Sequence, residues 1–181
     1  MNAMLLLYSS RNGHTQHIIQ KVAQYLGERG IDCDVADLHC LANPEWQQYQ
    51  QVIVGASIRY GNFHPLLWRF VRQHSQALNQ RKTAFFCVSL VARKASKCTL
   101  EGNPYLRKFL KHSPWQPTLC KAFAGALRYP HYRWFERRII QLIMALTGGE
   151  TDVTQEIVYT EWQHVDNFAR QCAEKLCLSG S

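Results

Sequence analysis

Residues 3–15 read AMLLLYSSRNGHT: an apolar run from Ala3 to Ser9, a short polar turn, and the beginning of a stretch with helical spacing. The run is continuously apolar, as suits a central strand covered on both faces. From about Thr15 onward, Ile18, Val22 and Leu26 recur at intervals of four, and Gly30 is placed to end the helix they predict. A strand, a tight turn and a helix in immediate succession open a βαβ unit, so this stretch predicts an α/β chain.

The pattern continues outward from that opening. Ile31, Cys33 and Val35 alternate with Asp32, Asp34 and Ala36, which predicts a shorter strand near an edge. Gln51 to Ile58 reads as a third strand, buried like the first, and Thr83 to Val91 as a fourth. Between them, Pro65 to Asn79 carries Leu66, Leu67, Phe70, Val71, His74 and Leu78 at helical spacing. Tyr105 to His112 predicts a short helix started by Pro104. Lys121 to Leu127 reads as a fifth strand, Glu156 to Thr160 as another short one, and Trp162 to Leu176 as a closing helix. These elements predict one domain over residues 1–181. The stretch from about 128 to 155 does not fit the alternation, and reads as an insertion with its own helix in the last strand.

The chain has 181 residues, 46% apolar and 19% charged, which excludes a disordered or collagen-like polymer. Its net charge of +8 is unevenly placed. Between Arg81 and Gly149 there are 13 basic residues against only Glu101 and Glu136, whereas the remainder is mildly acidic. Such a region is expected to face an anion: phosphate, carboxylate, nucleic acid or lipid headgroup. The seven cysteines form no CxxC pair and no signal peptide precedes them, so reduced thiols in the cytoplasm are expected. No apolar run is long enough to span a bilayer.

The turn Ser9-Ser10-Arg11-Asn12-Gly13-His14-Thr15 carries the first chemical signal. Backbone N–H groups at a helix N-terminus converge on an anion, hydroxyl and amide side chains add donors, and Gly13 permits a close turn. Neither GxxxxGK[ST] nor GxGxxG is present, and a simple cap by Asn12 or Thr15 is the alternative. Ser10, Asn12, Gly13, His14 and Thr15 resemble the phosphate loop of flavodoxins, which a Thr-Gly-Asn-Thr string usually closes; Asn12 stands in for the first threonine and His14 for the asparagine. The resemblance implies a flavodoxin-like five-stranded parallel sheet with helices on both faces, and FMN as cofactor. Ligands of open α/β sheets lie beyond the carboxyl ends of the strands. That places Ser57, Ile58, Arg59, Tyr60 and Gly61 after the third strand, and Ser89, Leu90, Val91, Ala92 and Arg93 after the fourth, around the flavin ring. Tyr60 is the candidate for stacking on it; the second loop has no aromatic before Tyr105.

Four strings together resemble a narrower group: GASIRYG at 55–61, SLVARK at 89–94, GALRYPHYRW at 125–134 and GGETD at 148–152. They are similar to those of the menaquinone-dependent protoporphyrinogen IX dehydrogenases of bacterial haem synthesis, over nearly the whole chain. The resemblance implies oxidation of protoporphyrinogen IX in three two-electron steps, a membrane quinone as acceptor, and peripheral association with the inner membrane. It makes Arg59 and Tyr60 the candidate participants in the reaction, and Arg93, Lys94 and Arg128 candidate partners of the substrate's propionates. Electron-carrier flavodoxins surround their flavin with acidic residues, whereas Arg59, Arg93 and Lys94 stand in the two ring loops here. A cation ~6–8 Å from a reduced ring favours its anion by roughly 2–3 kcal/mol at an effective dielectric of about 20. An NAD(P)H–quinone reductase or an electron carrier on the same fold is the alternative, and a non-enzymatic polyanion- or membrane-binding module a second.

Within the insertion, Phe135, Ile139, Leu142, Ile143 and Leu146 share one helical face, and Arg133, Arg137, Arg138 and Gln141 lie opposite. Arg128, Tyr129, Tyr132 and Trp134 precede or open this helix. A basic helix with interfacial aromatics suits an anionic bilayer surface, where each cation contributes about 1 kcal/mol. Packing on the protein itself and a homo-oligomer interface are the alternatives. No nucleic-acid motif accompanies the basic region, so no nucleic-acid partner is expected. His14 and His17 are three apart without a thiol or carboxylate at ligand spacing, so no metal is expected. Cys172 and Cys177 read as small apolar residues.

Overall fold

A computed structural model describes residues 3–41, 43–128, 132–152, 154 and 156–177. Strands β1 (Ala3–Ser9), β2 (Cys33–Asp37) and β3 (Tyr49–Arg59) are followed by the two-residue β4 (Asn62–Phe63), which folds back antiparallel on β3. With β5 (Lys82–Ser89) and β6 (Leu119–Ala124), the main strands form a parallel sheet in the order β2-β1-β3-β5-β6. This is the five-stranded flavodoxin-like parallel sheet predicted above. Helices α1 (His14–Gly27), α2 (Pro65–Asn79) and α3 (Pro104–His112) connect the strands, and α4 (Trp134–Thr147) and α5 (Trp162–Cys172) follow.

Strict alternation along each strand sorts the core into two layers. Leu5, Leu7, Val52, Val54, Phe85 and Cys87 pack under α2 and α3. Met4, Leu6, Ile53, Ala84, Phe86 and Val88 pack under α1 and α5. Burial on both faces is why these strands read as continuous apolar runs. Pro65 and Pro104 sit in the first turns of α2 and α3, where a missing N–H costs nothing; the side chains of His64 and Asn103 cap the two helices.

Three expectations change, two of them at the sheet's carboxyl end. The fourth strand stops at Ser89, and Leu90–Arg93 coil into a 3₁₀ turn. The fifth stops at Ala124; after Gly125 the chain leaves the sheet as β7 (Ala126–Arg128), which pairs antiparallel with β8 (Glu156–Val158). A chain that departs and returns at one place brings two oppositely directed stubs together. They satisfy each other's backbone groups, so β8 does not continue β6. Tyr159 N–H then donates to the Gly125 carbonyl at 3.1 Å. Leu127, Tyr132 and Met144, with Leu90, Ile140 and Ile157 against them, form a small third cluster that seats α4 over the end of the sheet. Finally, α5 ends at Cys172 and residues Ala173–Cys177 widen into a π turn. Tyr129 and Gln155 of the expected insertion lie outside the described residues.

No two of the seven cysteines are bonded. Among the described residues no helix is long and apolar enough to cross a membrane, and no cluster of metal-ligating side chains occurs. At the sheet's centre Gly55 lies beside Phe86, whose ring occupies the space a Cβ would take. Gly55→Ala is therefore expected to lower stability by about 1–3 kcal/mol, read as an earlier urea midpoint, because Phe86 is already held edge-on by Phe123 and Phe168.

Candidate functional site

A cavity of about 390 Å³ opens where β1, β3 and β5 end, and its two ends differ in chemistry. At one end Gly13, in the left-handed conformation (φ +76°), turns the chain from β1 into α1. Gly13 is itself the residue that precedes the helix, and no side chain caps it, so the reading of Asn12 or Thr15 as a mere cap does not hold. The hydroxyls of Thr15 and Ser89 and the Nδ1 of His14, all on the cavity lining, are buried without a hydrogen-bond partner among the described residues. Buried polar groups are seldom left so, and three along one cavity call for a ligand that bonds to them.

His14 is the most constrained of the three. Its Nε2 lies 2.6 Å from the Thr160 hydroxyl, which donates its own proton to the Ala124 carbonyl at 2.6 Å. The Thr160 oxygen must therefore accept, so Nε2 carries the ring proton and Nδ1 is left as an acceptor. Burial, with Arg128 and His17 nearby, lowers the His14 pKa to about 4. The cavity thus offers the donors of the α1 N-terminus and Thr15 in the loop and Ser89 at the end of β5, together with one neutral acceptor. That set fits a phosphate monoester joined to a hydroxylated chain, as in FMN.

At the other end a carboxylate from α4 governs the loop after β3. Glu136 accepts from the Tyr60 hydroxyl at 2.5 Å and pairs with Arg59 through the same oxygen, while its other oxygen accepts from Arg133 N–H at 3.0 Å. The bond from Tyr60, helped by Arg59, holds the Glu136 carboxyl below the usual carboxylate range. Tyr60 is the one non-glycine residue at positive φ (+51°) among those described, and it is half exposed beside the cavity. The Arg59 guanidinium lies 5.3 Å from its ring centre.

Of the residues the sequence nominated, Ser10, Arg11, Asn12, His14, Thr15, Ser57, Ile58, Arg59, Tyr60, Gly61, Ser89, Leu90, Val91 and Arg128 line this one cavity. Ser9 is buried behind it, its carbonyl accepting from Ser57 at 3.4 Å. Ala92 and Arg93 stand outside the lining. The 3₁₀ turn carries Ala92 into the core under α2 and α3, and swings Arg93 to the end of α4, where it donates to the Thr147 carbonyl and hydroxyl at 3.1 and 2.7 Å. Lys94 is exposed and outside the lining. Arg128 does line the cavity, but its Nε pairs with Glu156 at 2.7 Å and its Nη1 donates to the Asn12 carbonyl at 2.9 Å. The three cations expected around the ring are therefore not gathered there unopposed: Arg59 is paired with Glu136, Arg93 is bonded to Thr147, and Lys94 stands outside the lining.

Sequence reasoning nominated none of the roof's side chains. Tyr132, Ile139, Ile140, Ile143 and Met144 of the insertion and Tyr105 of α3 complete the lining. It also missed Glu136, although one acid among so many cations was a signal.

A sequence profile for the flavodoxin domain matches residues 5–154. The chain belongs to the flavodoxin-domain family. Within that family, a curated relative from Escherichia coli (strain K12) is 50% identical over 169 residues, 93% of each chain, and is named protoporphyrinogen IX dehydrogenase (quinone). A Leishmania major relative of the same name is 47% identical over 93% of this chain and 74% of its own. Oxidised flavodoxin 2 from Bacillus cereus superposes with a TM-score of 0.56 at 18% identity, covering 96% of this chain and 99% of its own, which shows the shared fold.

The His14 geometry carries a pH signature. An unfolded chain takes up this proton near the ordinary value of 6.5 and the folded one only near 4. Unfolding therefore binds a proton between those values, and stability falls as pH drops through that window. His14→Gln is expected to flatten the pH dependence of the urea midpoint by up to about one proton's worth of slope.

Proposed function

We propose that this chain, a single flavodoxin-like domain, binds FMN and oxidises protoporphyrinogen IX to protoporphyrin IX in three two-electron steps, with a membrane quinone as acceptor. The observation that carries the reading is the two-ended cavity. The unsatisfied Thr15 hydroxyl and a helix N-terminus lie at one end, and a mostly apolar chamber under α4 lies at the other. The names of relatives sharing half of this chain's residues support the substrate and the acceptor.

Bound FMN supplies a group that takes two electrons from a carbon donor and yields them to a quinone. In this reading the α1 amides, Thr15 and Ser89 hold the phosphate end, and Tyr60, Tyr105 and Tyr132 flank the ring end. Ile140 and Met144 exclude water from the chamber, which strengthens the polar contacts inside it. Glu136 fixes Arg59 and Tyr60 at the mouth, and so orients whatever enters there. Arg93 and Arg128 are engaged elsewhere; exposed Lys94 remains a candidate for a propionate.

The exposed apolar face of α4, with Arg133 and Arg138 beside it, supports contact with an anionic membrane surface, at the cytoplasmic side of the inner membrane.

Anaerobic mixing of FMN-loaded protein with protoporphyrinogen IX and a soluble naphthoquinone tests the reading. Porphyrin fluorescence is expected to rise well above the protein-free control. No rise, with rapid bleaching of the flavin by NAD(P)H instead, would assign the chain to the reductases. Glu136→Ala is expected to lower that rate about tenfold or more by releasing Arg59 and Tyr60. For the membrane, Leu142→Asp with Leu146→Asp is expected to abolish co-sedimentation with anionic vesicles while leaving the soluble-acceptor rate within about twofold.

A further inference from the structure

The apolar side of α4 consists of three adjoining rows, and burial falls stepwise across them. Ile140 and Met144, four residues apart, wall the cavity, with Met144 fully buried. Ile139 and Ile143 line the same cavity and yet are 46% and 50% exposed. Leu142 and Leu146 stand outside the lining at 62% and 78%. From Ile139 to Leu146 the one polar side chain is Gln141, on the opposite face. An unbroken hydrocarbon path thus leads from the chamber to the outer surface of the helix.

A mouth of this kind does not suit a ligand that arrives from water. Nor does it suit the porphyrinogen, a broad disc carrying two carboxylates, since the path is one helix face wide and holds no cation. An amphiphile with a compact redox head and a long apolar tail does match it. We propose that the Ile139–Ile143 row seats the isoprenoid tail of the quinone acceptor. The head enters the cavity while the tail runs out over Leu142 and Leu146 toward the lipid. This rests on the oxidoreductase reading above. Continuity between the cavity wall and the face assigned to the membrane singles out this occupant.

Two measurements in detergent micelles, which remove any dependence on vesicle binding, test the proposal. FMN-loaded protein is irradiated with a prenylated naphthoquinone carrying a diazirine on its tail, and the labelled peptide is identified by mass spectrometry. Labelling within 134–147 is expected. Steady-state KM is then compared for the prenylated naphthoquinone and for tail-less menadione. Ile139→Asn with Ile143→Asn, at two residues that also line the cavity, is expected to raise the first roughly fivefold to tenfold more than the second. Labelling elsewhere, or an equal change for both acceptors, or no change for either, would overturn the tail site. Failure of the unmodified protein to reduce either quinone would strike the oxidoreductase reading instead, and the label position would then decide the tail site alone.

Discussion

The structure depends on β1 being paired on both edges, by β2 on one side and β3 on the other. Parallel strands must be joined by connections that cross a face of the sheet, and the chain leaves β1 through α1 on one face and β3 through α2 on the other. The loops at the sheet's carboxyl end therefore splay apart. The gap between them is a necessity of chain direction, and it is where unpaired donors can remain buried without collapsing on one another. Thr15, Ser89 and His14 line that gap because the layers on either side already hold their backbones.

Covering the gap poses an electrostatic problem. The helix laid over it comes from the most basic part of the chain, and Arg59 of β3 and Arg128 of β7 line the cavity beneath. Two carboxylates resolve it. Glu136 stands against Arg59 and Tyr60, and Glu156 against Arg128. Removing one member of such a partly buried pair leaves its partner without compensation, so these contacts specify where α4 rests more than they add to net stability. The small cluster around Met144 and Leu127 supplies the apolar part of the seat.

Much of this was legible in the sequence, for physical reasons that also explain what was not. Strands covered on both faces betray themselves as apolar runs, and Pro65 and Pro104 mark helix starts because only there is a missing N–H harmless. The loop from Ser10 to Thr15 was legible because phosphate chemistry needs its residues adjacent in the chain. β7 and β8 were not, since three residues carry no period. Arg93 was assigned to the right loop but the wrong direction, because the count of residues past a strand does not reveal a 3₁₀ turn. Tyr105 and Tyr132 join the cavity from elements distant in sequence, and Glu136 is one residue in a helix whose pattern otherwise speaks only of its outward face.

The β7–β8 ribbon has a consequence for ancestry and engineering. Arg128 and Glu156 are opposed across it and clasped by their charges, so the excursion begins and ends at neighbouring points. A loop whose ends already meet adds little closure entropy however long it grows. The whole segment is therefore a cassette, plugged into a finished scaffold at one socket, free to be lengthened, swapped or grafted onto another member of the fold without disturbing the register of the strands beneath.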